Sequence, residues 1–260
     1  MRKIHVITQK ELVDSEMIRN CTAVVIDVLL ATSTITYLLK KGYEPVYAVK
    51  DALSALDIVK KQKSPYLLMG EWQGESIANF HYPDPTLIET TRIKRPAIIC
   101  STNGTIAIEK AKQAKVLYVS SLINGHRVSE QIRQRADGSS IILICSGNAG
   151  RFSMEDFIGA GQIIDHLTRN NVFELSDASR LARDAFIHAK SKQFVNLLGS
   201  ETAGLLKRTG YEHSTQWVID QVEKVDVVPV YRNGKLYANH IGRERSECWL
   251  HTNKKDLSTC

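Results

Sequence analysis

Strands alternating with helices along most of the chain predict an α/β protein with a largely parallel sheet and helices on both faces. Three observations carry that expectation. Apolar runs of strand length occur at 22–29, 96–100 and 141–145. The segments that follow them show helical apolar periodicity, and polar, glycine-bearing turns join the two kinds of segment. A helical segment and then a short strand pair close the chain. Its 260 residues suffice for one large α/β domain, and no repeat, low-complexity tract or linker divides them. Residues 1–260 are therefore read as one domain, with room for a helical subdivision near 170–225.

In order, Lys3–Ile7 reads as a strand and 11–19 as a weak helix or loop. The run at 22–29, TAVVIDVL, has the look of a strand covered on both faces, interrupted near its carboxyl end by Asp27. Thr32, Ser33 and Thr34 lead into a helix that Gly42 ends. A strand at 45–49, a helix at 52–60 and a strand at 66–69 follow, the last running into Gly70 and Glu71. Residues 72–90, with Pro83 and Pro85, read as an irregular loop. Next come a strand at 96–100, a helix through Ala114, a strand at 116–119 and a helix containing 128–135. The strand Ile141–Cys145 precedes a helix through about Thr168. Residues 176–221 read as several helices broken near Gly199 and Gly210. Segments 225–230 and 235–238 form the final pair around an Arg-Asn-Gly turn.

Thirty-four basic against 28 acidic residues give a net charge of +6, which favours anionic partners. The charge is dispersed, without Lys/Arg blocks or basic-aromatic interleaving, and this argues against nucleic acid as a partner. The five cysteines (21, 100, 145, 248, 260) form no C-x-x-C pair, and the first three lie in or beside apolar runs, as reduced core residues do. No signal-peptide core is visible, and no apolar run approaches the roughly 18 residues of a membrane helix. A cytoplasmic protein without a membrane partner is expected.

Four polar insertions fall at carboxyl ends of strands: Asp27 with Thr32 to Thr34, Gly70-Glu71, Ser101 to Thr105, and Ser146 to Asp156. In an open parallel sheet such ends share one crevice. Asp27 in so apolar a strand needs a partner, a hydrogen bond or a metal, since bare burial costs several kcal/mol; capping the next helix is the other reading. Thr102-Asn103-Gly104-Thr105 offers hydroxyls and backbone N–H groups, as a phosphate cradle or as an ordinary capped turn. In 146–156, glycines, Arg151 and the Ser153 N-cap with Glu155 and Asp156 form either an anion site or a turn whose acids offset the helix dipole. No histidine pair has metal-ligand spacing, so oxygen ligands from Asp27, Glu71 and Asp156 point to magnesium. A serine-hydrolase elbow and a P-loop are both absent from the sequence.

Taken together, AVVIDVLLATSTI (23–35), Gly70-Glu71, STNGT (101–105) and CSGNAGRFSMEDFIGAG (145–161) resemble the 2-phosphosulfolactate phosphatase (ComB-like) family, in order and spacing. Gly204-Leu205-Leu206, Gly210-Tyr211, Asp220 and Val228-Pro229 extend the resemblance over nearly the whole chain. It implies a magnesium-dependent phosphatase of α/β fold that hydrolyses the phosphate ester of a small sulfonated hydroxy acid, a step of coenzyme M or sulfolactate formation. Asp27 and Asp156, with Glu71 or Glu155, would hold Mg2+ and carry catalysis. Thr32, Ser33, Thr102, Asn103, Gly104, Thr105, Gly147, Asn148, Arg151 and Ser153 would bind the phosphate. The metal would position a water for in-line attack, with covalent catalysis through Asp27 as the rival route. The partner is then a small anionic phosphate ester, and a homodimer is left open.

Three places depart from the family pattern. Leu30 stands where an arginine is expected, Trp72 replaces a second one after Gly70-Glu71, and 79–86 lacks an acid after Phe80, where His81 stands, and a Gly-Asn turn. Arg151 is thus the main guanidinium left in the site loops. The departures define two alternatives. One is a catalytically degenerate member acting as an anion-binding or regulatory protein; the other is an active phosphatase with a less anionic substrate, Leu30 and Trp72 lining a more apolar pocket.

Overall fold

The computed structural model describes residues 1–61, 65–89, 95–135 and 137–239. The chain begins β1 (Lys3–Ile7), β2 (Thr22–Ile26), α1 (Ala31–Lys40), β3 (Tyr43–Val49), α2 (Ala52–Lys61), β4 (Leu67–Trp72), β5 (Glu75–Ser76) and β6 (Arg95–Cys100). It continues α3 (Gly104–Ala111), β7 (Val116–Ser120), α4 (Gly125–Arg135), β8 (Ile141–Cys145), α5 (Met154–Thr168) and β9 (Glu174–Leu175). It closes with α6 (Asp177–Ser191), α7 (Glu201–Arg208), α8 (Glu212–Asp220), β10 (Val228–Arg232) and β11 (Lys235–Asn239).

All eleven strands join one sheet in the order β5-β4-β6-β3-β11-β10-β7-β2-β8-β1-β9. β4, β6 and β3 run parallel on one side, and β7, β2, β8, β1 and β9 run parallel on the other. The final strand pair is not an appendage. It forms the seam between the two parallel sets, β10 antiparallel to β7 (Val230 opposite Tyr118) and β11 antiparallel to β3 (Leu236 opposite Val46), so that the two sets run in opposite directions. Every residue of β2 and β7 is buried, which explains their unbroken apolar sequences: helices cover both faces. α4, α5 and α6 pack side by side against β7, β8 and β1, whereas α1 and α3 pack together against β3, β7 and β2.

Register is what brings the polar loops together. Ile26 ends β2 opposite both Ser120 and Cys145, so Asp27 and Ser146 emerge side by side. Gly70 lies opposite Cys100, so Glu71 and Ser101 emerge together on the other half. Register thus pairs the insertions within each half. Three antiparallel pairings separate β3 from β7, so the halves run in opposite directions and the single shared carboxyl edge expected from the sequence is not formed. Residues of all four insertions nevertheless line one cleft.

Three elements differ from the sequence expectation: β4, β5 and the short edge strand β9, which the sequence pattern does not announce. β4 continues through Glu71 to Trp72 and turns back into β5, so part of 72–90 is strand. The stretch beyond it is tied down: Gly70 N–H donates to the His81 carbonyl (2.8 Å), and Asp84 caps a 3-10 turn by accepting from Thr86 N–H (2.8 Å). Cys100 and Cys145 are free, buried thiols as expected; burial pushes Cys100 up to about 12 and Cys145 well above its ordinary value, so neither is a nucleophile. Cys248 and Cys260 lie outside the described residues. Among the described residues no helix is long and apolar enough to cross a membrane.

Candidate active site

A cleft of about 250 Å³ is lined by residues that follow the carboxyl ends of β2, β4, β6 and β8. Its floor includes Asp27, Glu71, Thr102 and Asn103, one rim is Asn148 to Arg151, and the opposite wall is α7 with Thr202, Leu205 and Leu206. Leu29, Leu30 and Tyr82 complete an apolar side.

Asp27 sits just past β2 because the backbone there turns sharply into α1. Thr32 closes that turn: its hydroxyl donates to the Asp27 carbonyl (2.6 Å) and accepts from the Asp27 N–H (2.9 Å). Ser33 donates to the Val28 carbonyl (2.8 Å). The Asp27 carboxylate accepts one bond, from Ala31 N–H to Oδ1 (3.2 Å), which leaves Oδ2 without a hydrogen bond among the described residues. The start of α3 lies directly against it: a Cβ on Gly104 would come within 2.6 Å of Oδ2. Only glycine fits there. Burial, and then the nearby charge of Glu71, push the Asp27 carboxyl up to about 7.

Asp156 stands behind Asp27 on the first turn of α5, whose N-cap Ser153 accepts from the Asp156 N–H (3.2 Å). Its carboxylate accepts from Val28 N–H (2.8 Å) and Gly147 N–H (3.1 Å), so it ties the loop after β2 to the loop after β8. Burial and the charges of Asp27 and Glu155 drive it well above its ordinary range. Glu155 is buried beside them and has no hydrogen-bond partner for its carboxylate among the described residues. Gly147 has φ +71° and packs so closely that a Cβ would lie 2.7 Å from the Arg151 carbonyl, so this turn also requires glycine.

Glu71 organises the facing loop. It accepts from Thr102 N–H (2.6 Å), the Thr102 hydroxyl (3.0 Å) and Gly74 N–H (2.8 Å). Thr105 bonds back to Ser101, as an ordinary turn hydroxyl does.

The sequence-predicted residues therefore separate into two groups. Asp27, Glu71, Thr102, Asn103, Asn148 and Arg151 line the cleft. Thr32, Ser33, Thr105 and Ser153 spend their hydroxyls on backbone groups, Gly104 and Gly147 permit close approach, and Asp156 and Glu155 lie behind the lining. Arg151 is on the rim, its side chain 66% exposed and 3.1 Å from Glu201 of α7. Leu30 lines the cleft, but Trp72 is 52% exposed and does not, so the apolar side is built by Leu29, Leu205 and Leu206 instead. Sequence reasoning missed Lys10, a buried ammonium whose Nζ donates to Asn103 Oδ1 (2.8 Å). One signal in the chain points to it: like the four insertions, Lys10 follows the carboxyl end of a strand, here β1.

A model of the 2-phosphosulpholactate phosphatase family matches residues 7–234 of this chain, spanning every element of the site. The chain belongs to that family. The probable 2-phosphosulfolactate phosphatase of Clostridium novyi is 30% identical over 237 residues, covering 90% of this chain and 99% of the relative. The protein of the same name from Thermotoga petrophila is 33% identical over 215 residues, covering 82% and 90%.

The lining tests whether a divalent cation suits the cleft. Two carboxylates, Asp27 and Glu71, face it against one base, Arg151, which Glu201 already engages. Asp27 offers a carboxylate oxygen with no protein donor. Among the described residues no three His, Cys, Asp or Glu side chains form a metal cluster. Magnesium is the divalent ion that such a site suits, since it is usually held by one or two carboxylates together with waters and substrate phosphate.

Proposed function

We propose that this protein is a magnesium-dependent phosphomonoesterase that hydrolyses 2-phosphosulfolactate, the phosphate ester of a small sulfonated hydroxy acid, in the cytoplasm. The observation that carries the reading is the charge of the cleft: two carboxylates and one neutralised guanidinium would repel a phosphate dianion. A dication cancels that charge. Asp27 through Oδ2 would hold the ion, with Glu71 at its side, while Asp156 and Glu155 act behind them, Asp156 by fixing the loops. When bound, magnesium supplies charge neutralisation at the phosphoryl oxygens and orientation of the attacking water.

The chain's own groups do the rest. Asn103 and Asn148 offer side-chain amides toward the phosphate, and Arg151 can swing from Glu201 to a ligand oxygen. Leu29, Leu30, Leu205 and Leu206 shed water around the ester and strengthen each polar contact inside. The test is phosphate release from 2-phosphosulfolactate with and without magnesium. Release that needs the metal supports the reading, and no turnover of any small ester by folded protein sinks it, leaving the degenerate, anion-binding alternative.

One observation favours a second substrate. Arg151 is the one basic residue in the described lining, and Leu30 occupies a position that the family pattern gives to arginine. A less anionic ester suits that wall better. If it is the substrate, a neutral alkyl phosphate of similar size is hydrolysed with higher kcat/KM than the sulfonated ester, and Leu30→Arg reverses the preference.

A further inference from the structure

We propose that Lys10 is a positioning residue for anion binding, orienting the Asn103 amide so that Nδ2 faces the cleft; this rests on the phosphate reading above. Lys10 lies in the 3-10 turn Lys10–Leu12 that follows β1 and is 5% exposed. Burying an ammonium is costly unless its protons are used, and here all three are. Nζ donates to Asn103 Oδ1 (2.8 Å) and to the Ser146 carbonyl (3.4 Å), and it pairs with Glu11 at 2.9 Å. Lys10 therefore has no proton to offer a ligand. Its effect passes through its partners.

Asn103 is the partner that lines the cleft. Its Oδ1 accepts a second bond from Ala149 N–H (3.1 Å). Both donors are obligate, since an ammonium and a backbone N–H cannot accept, so the amide cannot turn over without losing two bonds. Nδ2 is left without an acceptor among the described residues, on a residue exposed to the cleft. An amide held this way is a preorganised donor for an anionic oxygen.

The same turn clamps two loops. The Lys10 carbonyl accepts from Lys110 Nζ of α3 (3.1 Å), and Gln9 Cβ packs within 3.0 Å of where a Cβ on Gly147 would be. Lys10 thus ties the loop after β6 to the loop after β8, which sequence separates by more than forty residues. Arg151 is the one basic residue in the described lining, so holding neutral donors in place gains importance.

The experiment is calorimetric titration of inorganic phosphate with saturating magnesium, on wild type, Lys10→Met, Asn103→Ala, the double variant and Asn103→Asp. Lys10→Met should weaken binding about tenfold, the worth of one hydrogen bond to a charged ligand. Asn103→Ala should weaken it at least as much, and the double variant no further, because one residue acts through the other. Asn103→Asp keeps the acceptor for Lys10 but turns a carboxylate oxygen to the anion, so it should lose binding with an unchanged unfolding midpoint. Losses from the two single substitutions that multiply in the double variant overturn the proposal. So does wild-type affinity in Asn103→Asp, which decides the matter alone if Lys10→Met does not fold. A wild type that binds no phosphate overturns the phosphate reading itself, and this inference with it.

Discussion

Two groups of carboxylates sit in this molecule under opposite conditions. At the cleft, Asp27, Glu155 and Asp156 are buried together, and burial and mutual repulsion raise Asp27 and Asp156 above the ordinary carboxylate range. Away from it, Asp137 is ringed by Arg2, Lys115 and Arg135, and hydrogen bonds from Ser139 and Arg135 outweigh its burial, holding it far below that range. Glu223 is likewise lowered to about 2, chiefly by its hydrogen bond with His166 (2.7 Å). The same residue types serve stability where cations meet them and strain the fold where they meet each other. Crowded acids of this kind mark the cleft as the candidate ligand site.

Asp27→Asn puts that contrast under the greatest stress. It should lower kcat/KM by about 10²–10³-fold, the usual cost of removing one preorganised electrostatic group. It should not cost stability. Because folding raises this carboxyl from 3.8 to about 7, the metal-free native state binds the proton more tightly than the unfolded chain does. Wild-type stability therefore falls as pH rises across that window, and the variant should show a higher unfolding midpoint above pH 7 and none of that slope.

Glu223→Gln should do the reverse with a smaller effect. A carboxyl lowered from 4.5 to about 2 contributes stability that is present above 4.5 and lost as pH falls toward 2. The substitution should remove up to about 1 kcal/mol at neutral pH, vanish as a difference near the acid limit, and leave turnover unchanged. Urea titrations at several pH values read this directly.

Glu201→Ala carries the smallest expected effect. It releases Arg151 from an exposed pair. Phosphate affinity should rise by a factor of about five or less, the scale of a surface ion pair. A fall would mean that the pair holds Arg151 in its working position.

Much of this arrangement is legible in the amino-acid sequence. Asp27 stands out because a carboxylate in a continuous apolar run has no inexpensive explanation, and within each half the insertions emerge together because the carboxyl ends of parallel strands do. Strand order is not legible: the pairing of β10 and β11 between β3 and β7 depends on contacts far apart in sequence, which local apolar patterns do not encode. Hydroxyl direction is equally hidden, so Thr32 and Ser33 read as phosphate ligands although they bond to the backbone around Asp27 and Val28. Lys10 is hidden too, because a lysine beside a glutamate in a polar turn looks like solvated surface, and only the packed turn shows the stem and ammonium enclosed.

The most direct test of the acid-lined cleft as a metal-assisted phosphoryl site is inorganic phosphate release from 2-phosphosulfolactate, measured across magnesium concentrations for wild type and Asp27→Asn. Release that saturates with magnesium in the wild type and is lost in the variant is the expected result. A folded wild type inert toward this and other small phosphate esters, or a variant that retains the wild-type rate, would contradict it.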